Sequence, residues 1–190
     1  MTTEITPPIE LNASPGAAGE RFTHRAVEIP SDVARRLATA CPTAPLSTNA
    51  EASRDWWPLT MHWALAGDVP KSAALVCRPV DAGQVSVVLG ICNENRIPVT
   101  TAGGRSGVCG AAIPLHGGVL LDTTAMRGVV SVDDASLTVE VLPGTFGPDL
   151  EAHLRPLGLT VGHFPQSFDI ATVGGWVACR GAGQYSTRYG

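Results

Sequence analysis

Lysine is nearly missing from this chain. Lys71 is the only one, and the remaining members of the 13 Lys plus Arg are arginines, which reads as a bias of base composition rather than a function. Charge of either sign is scarce: charged residues make up 16%, the formal net charge is −4 and the pI is about 5.7. A chain this poor in cations is not built as a general nucleic-acid binder. C-x-x-C pairs are absent, and Cys41, Cys77, Cys92, Cys109 and Cys179 make an odd set of 5, which argues against a disulfide framework or a structural zinc site. Free thiols in a reducing cytoplasm are the simple expectation, with Cys109 and Cys179 read as small buried side chains by default. His24, His62, His116 and His153 are scattered without ligand spacing, so no metal is expected, and no Ser-His-Asp or paired-carboxylate arrangement can be assembled. The start, MTTEITPPIELNASPG, lacks the basic-then-apolar pattern of a secretory signal. No stretch reaches the roughly eighteen apolar residues of a membrane span. Asn12-Ala13-Ser14 matches a glycosylation acceptor, which means nothing in the cytoplasm.

What the chain does have is apolar residues, at 44% of 190, enough for one domain with a real core plus an extension. Residues 1–50 read as a flexible or partly helical extension: 1–25 as a lead-in rich in Pro, Gly, Thr and Ala, then a short helix through Arg36 to Thr39 capped by Ser31, then loop over 41–53. Residues 51–72 form an aromatic-rich connecting segment, SRDWWPLTMHWAL. Its three tryptophans read as a buried plug, with ligand stacking as the other use. Residues 73–190 carry the regular patterning. AALV predicts a strand, and Asp81 a helix N-cap. Val85, Val88, Leu89 and Cys92 predict a helix to about Asn95, and IPVTT a second strand, so the unit is β-α-β with parallel strands. GGVLLD predicts a strand ending at Asp122. VVSV and LTVEV predict a hairpin turning at Asp133-Asp134, and a helix begins at Asp149 with Leu150 and Leu154 facing inward. Near the end, Gly174-Gly175 precede a helical start at Trp176, where free N–H groups would suit a phosphate or an electron-rich ring edge.

TTAGGRSGVCGA, residues 100–111, follows the second strand directly. Loops this rich in glycine let backbone N–H groups approach a phosphate, a nucleotide or a flavin, or else simply turn the chain. A dinucleotide-binding loop would follow the first strand and open a helix, which Pro114 and two further glycines leave no room for here. The Gly-Lys-Ser/Thr of a Walker A loop is missing.

Four features in order carry a family resemblance: IPVTTAGGRSG, the GGVLLD strand with its hairpin, the PGT turn with its helix, and GHFPQSFDIATVGGWVACRGAG. On these, residues 73–190 resemble the PCMH-type FAD-binding domain of the vanillyl-alcohol oxidase / p-cresol methylhydroxylase family. The H-x-P-x-S…T-V-G-G-W-V block is most similar to its alkyldihydroxyacetonephosphate (alkylglycerone-phosphate) synthase branch. The resemblance implies an α+β fold, with a β-α-β start and then a mixed sheet with flanking helices. Family members continue beyond Gly190, so the fold is expected to be incomplete at its C-terminus. FAD would lie between two subdomains, its pyrophosphate on Thr100, Thr101, Ala102, Gly103, Gly104, Arg105, Ser106 and Gly107. A second flavin-contacting stretch would be Gln166, Ser167, Ala171 and Thr172, with Gly174 and Gly175 following. A third would be Cys179, Arg180, Gly181 and Ala182. Arg105 takes the position of a His that bonds the ring in covalent relatives, so the FAD is expected to be non-covalent. Gln166 stands where the synthases have Asp. His163, on its own a hydrogen-bonded loop residue, matches a His beside flavin and substrate, and is the catalytic candidate. A small or lipid-like substrate and a homodimer are further implications. The implied activity is exchange of the acyl chain of an acyl-dihydroxyacetone phosphate for a fatty alcohol. Two alternatives stand: oxidation of a D-2-hydroxy acid such as lactate or glycolate, and a catalytically silent flavin-binding fragment.

Overall fold

The computed structural model describes residues 26–67, 69 and 71–189; the lead-in expected over 1–25 lies outside the described residues. The first helix, α1, is Ser31–Ala40. Ser31 is inside the helix rather than its cap: Pro30 takes that position, with no capping side chain. Val33 and Leu37, one turn apart on α1, are buried. Complete burial of a side chain such as Leu37 contributes about 1.5–3 kcal/mol.

The expected loop over 41–53 is in fact largely helical, with a 3-10 turn at Leu46–Thr48 and α2 at Asn49–Ala52. So short a helix has almost no propensity signal of its own. Tertiary bonds hold it: Asn49 Nδ2 donates to the carbonyls of Ala73 and Ala74, both at 3.1 Å, and the Ser53 hydroxyl accepts from the Ala73 amide at 2.9 Å. Helix α3, Pro58–Leu65, starts on a proline whose missing N–H is harmless there.

Strand β1 (Leu75–Cys77), helix α4 (Ala82–Glu94) and strand β2 (Val99–Ala102) follow the expected order, and Asp81 caps α4 by accepting from Gln84 N at 2.8 Å. Leu89 departs from the expected helix face. It is exposed, and Ile91 is buried with Val88 and Cys92. The next strand, β3 (Val119–Asp122), enters between the first two, giving a parallel sheet of order β1-β3-β2. Every residue of β3 is buried, as a central parallel strand requires.

The sheet separates two cores by alternation along its strands. Leu75, Cys77, Val119 and Leu121 join Val33 and Leu37 of α1 and Val88, Ile91 and Cys92 of α4 on one face. Val76, Leu120 and Ala102 meet Ala44, Ala52 and Ala73 on the other, where small side chains let α2 sit close.

Beyond the sheet, β4 (Val129–Asp133) and β5 (Thr138–Val141) form the antiparallel hairpin. The Asp133 carboxylate accepts from the Ser136 hydroxyl and from the amides of Ser136 and Ala135, which hold its pKa below the usual range. Helix α5 is Gly147–Leu154, beginning two residues before Asp149, because Pro148 opens its first turn. Helix α6 is Val173–Cys179 and α7 is Ser186–Tyr189. Among the described residues no helix is long and apolar enough to cross a membrane.

All five cysteines are free. Cys109 and Cys179, expected to be buried, are exposed because each lies on a segment outside both cores. Burial pushes the thiols of Cys41, Cys77 and Cys92 up, and Cys77, fully buried, is raised strongly, with Cys41 and Cys92 beside it adding to the rise. A colorimetric thiol assay should therefore find Cys109 and Cys179 reacting in the native chain, and Cys41, Cys77 and Cys92 only after unfolding.

Candidate functional site

Parallel strands deliver their carboxyl ends to one edge of the sheet, which is where ligands bind in such folds. Two features meet there. Ala102, the last residue of β2, pairs with Asp122, the last residue of β3, and the Gly-rich loop begins at the next residue. Among the described residues, no group accepts a hydrogen bond from the backbone N–H groups of Gly104 through Ala112. These residues are half-buried or exposed, so their amides are free to donate to an electron-rich group that comes against the loop.

The second feature is charge. Asp122 is 1% exposed. Its Oδ2 receives Arg78 Nε at 3.3 Å and Arg105 Nη1 at 3.4 Å, and its Oδ1 accepts from the Thr124 amide at 3.0 Å and hydroxyl at 2.6 Å. Two guanidiniums share one carboxylate, so the edge keeps an excess positive charge. Arg105 takes a left-handed backbone, φ 55°, a conformation that costs a non-glycine residue about 1–2 kcal/mol. Sequence reading singled out Arg105 but gave no role to Arg78 or Asp122. The available signal was a carboxylate closing an otherwise apolar strand.

The loop and the second expected stretch touch. A Cβ on Gly104 would collide with the Ile170 carbonyl, and one on Gly103 with the Thr172 hydroxyl. Both Ala171 and Thr172 are buried, and Thr172 Oγ1 has no partner. Thr100 and Ser106 are half-buried; Thr101, Gly107 and Gln166 are exposed, with Ser167 half-buried beside Gln166.

The amide expected to be open at Gly174 is in use. Gly174 and Gly175 lie inside α6, and the amides of Val173 and Gly174 already donate to the carbonyls of Thr145 (2.9 Å) and Pro143 (2.8 Å). A Cβ on Gly174 would sit 2.8 Å from Pro143 Cβ. This glycine serves the docking of α6 on the Pro143 turn, not the exposure of a helix N-terminus.

At the other end of α6, Arg180 (φ 48°) closes the helix, with Gly181 N donating to the Trp176 carbonyl at 2.9 Å. Cys179, Arg180 and Ala182 are exposed there. A Cβ on Gly181 would be 3.5 Å from His163 Nε2, and the His163 ring meets Trp176 edge-on at 4.8 Å. His163 Nε2 and Trp176 Nε1 are buried without partners. The expected stretches therefore form two groups, Thr100–Gly107 against Ala171–Thr172, and His163 with Trp176 and Gly181, joined by α6.

The tryptophans divide. Trp63 is buried and meets Trp57 edge-on at 6.0 Å, as a plug would. Trp56 is 54% exposed and lines a cleft of about 630 Å³, whose walls include Arg54, Asp55, Met61, Gly104 and Arg105.

Comparison with known proteins shows the family of the domain. The profile of a family described as FAD binding domain matches residues 73–190. An alkyldihydroxyacetonephosphate synthase of Dictyostelium discoideum is 31% identical over 127 residues, 65% of this chain and 21% of that protein. A D-lactate dehydrogenase of Anaerostipes hadrus is 36% identical over 107 residues, 56% of this chain and 22% of that protein. A solved alkyldihydroxyacetonephosphate synthase shares the fold with a TM-score of 0.80 at 24% identity, covering 90% of this chain and 33% of that one. The chain thus spans about a fifth of the length of these curated relatives.

Removing the shared carboxylate tests the charge arrangement. Asp122→Asn should cost about 2 kcal/mol, less than a fully buried pair because Arg78 and Arg105 are partly solvated. A lower urea midpoint at unchanged slope is the expected reading; an unchanged midpoint would show that Asp122 does not hold this edge together.

Proposed function

The chain belongs to the FAD-binding-domain family, and from that premise we propose that it holds non-covalent FAD for an alkyldihydroxyacetonephosphate synthase-like enzyme. The observation that carries the cofactor assignment is the run of open amides from Gly104 to Ala112 beside the Arg78–Asp122–Arg105 group. Several amides without a protein partner on one short loop, beside two arginines that share one carboxylate, suit a pyrophosphate. Thr172 Oγ1 is a further buried donor without a partner, next to the same loop. The residues present fit the cofactor.

In this reading the loop amides and Arg105 hold the phosphates, with Thr100, Thr101 and Ser106 at its shoulders. Ala171 and Thr172, with Ser167 and Gln166 before them, form a second wall. Cys179–Ala182 close the third side. Arg105 cannot bond the ring as a His could, which supports a non-covalent link. FAD, when bound, supplies a ring able to take a hydride or to hold a carbon group, which no side chain offers. His163, with Nε2 unpartnered against Trp176, is the group that exchanges a proton or a hydrogen bond with substrate. The synthase branch, and with it ether-lipid acyl-to-alkyl transfer, is supported by the 31% identity to the Dictyostelium synthase. The second reading, a D-2-hydroxy-acid dehydrogenase, is supported by the 36% identity to a D-lactate dehydrogenase.

Purified full-length protein should be yellow and should release free FAD into the supernatant on acid precipitation. A folded, colourless protein that takes up no added FAD would refute the cofactor assignment. To separate the two activities, the loaded protein is mixed anaerobically with D-lactate or glycolate. The synthase reading expects the flavin to keep its colour with both and turnover with acyl-dihydroxyacetone phosphate; rapid bleaching by a hydroxy acid replaces it with the dehydrogenase.

A further inference from the structure

The family match begins at residue 73, yet the segment before it reaches into the cofactor loop. Three consecutive residues make the contact. The Trp56 amide donates to the Gly107 carbonyl at 3.0 Å. The Trp57 ring lies against Gly110, where a Cβ would be 2.8 Å from Trp57 Cε3 and where φ is 77°. Gly110 is thus doubly committed to glycine, by conformation and by the aromatic ring covering it.

Asp55 is the third. It is 8% exposed. Its Oδ1 is in use, accepting from the Trp57 amide at 3.0 Å, with the Thr60 hydroxyl at 3.4 Å. Its Oδ2 is buried and has no partner. The only atom that a Cβ on Gly107 would meet is this Oδ2, at 4.0 Å. An unpaired buried acceptor therefore faces a loop whose own fault is unpaired donors. The buried carboxylate oxygen is unfavourable alone, and the loop amides supply the donor it lacks.

We propose that Asp55 is a positioning residue for the cofactor loop: its Oδ2, unpaired and beside Gly107, is set to take up a backbone amide of that turn, while Trp56 and Trp57 fasten it. The clasp takes one side of the loop, so that the amides nearer Gly104 and Arg105 stay turned to the phosphates. This rests on the FAD reading above. It extends the cofactor site to residues outside the matched domain and gives the SRDWW stretch a role other than core filling.

The test uses full-length protein, wild type and Asp55→Asn, with Asp55→Ala for comparison. Asparagine keeps the shape but sets an NH2 donor against donors, either at the loop or at Trp57. Two quantities are read: FAD affinity by flavin fluorescence titration, and amide hydrogen exchange of residues 104–112 before FAD is added. The expected result is about tenfold weaker FAD binding and faster loop exchange in both variants, with the circular dichroism of a folded protein. Trp57→Leu, which leaves the carboxylate in place, should weaken FAD about threefold, and it carries the test if the Asp55 variants do not fold. Wild-type affinity and wild-type loop exchange in the folded variants would overturn the clasp and leave the FAD assignment standing. A wild-type protein that binds no FAD would overturn both.

Discussion

A β-carbon on Gly104 would occupy the place of the Ile170 carbonyl, and the rest of the site follows from its absence. Gly103 stands in the same relation to Thr172. Because neither residue has a side chain, the backbone leaving β2 can lie directly on the backbone that leads into α6. Two stretches far apart in sequence become one surface. The amides from Gly104 onward are left without protein partners, and Thr172 is buried beneath them. Glycine is used here for space; Gly104 does not need it for conformation, whereas Gly110, at positive φ under Trp57, does.

The electrostatics are built on the same edge. Because β3 runs between β1 and β2, its last residue is at the centre of the sheet edge and cut off from solvent. A carboxylate there needs partners, and Arg78 from the end of β1 and Arg105 from the loop supply them. One negative charge between two positive ones leaves the edge attractive to an anion. The open amides and the excess charge thus come from one topological fact, three parallel strands ending side by side.

The segment before the matched domain completes the arrangement. Trp63 fixes it from below and Trp57 covers Gly110. Asp55 and Trp56 bring polar groups to the loop, and the cleft beside Arg105 is walled on that side by this segment. The FAD-binding-domain family supplies the loop. This chain's preceding residues supply what lies behind it.

Local pattern was enough for the elements that local physics dictates. Asp81 caps α4, the Asp133 turn makes the hairpin, and short bounded apolar runs mark β1 and β3, because capping, turn chemistry and runs of apolar residues act within a few residues. The Gly-rich loop and the block around His163 were legible as motifs in the same way. Helix α2 was not, because its stability comes from Asn49 and Ser53 bonding to residues beside β1. The exposure of Cys109 and Cys179 was also hidden, since composition says nothing of which loops lie outside a core. The roles of Gly174 and Asp122 waited on the fold as well, one docked on Pro143 and the other set between two arginines. The sequence by itself determined the β-α-β order, the Asp81 cap and the hairpin turn. Which glycines make room for protein and which leave amides open was decided only by tertiary structure, because that depends on what packs against them from elsewhere in the chain.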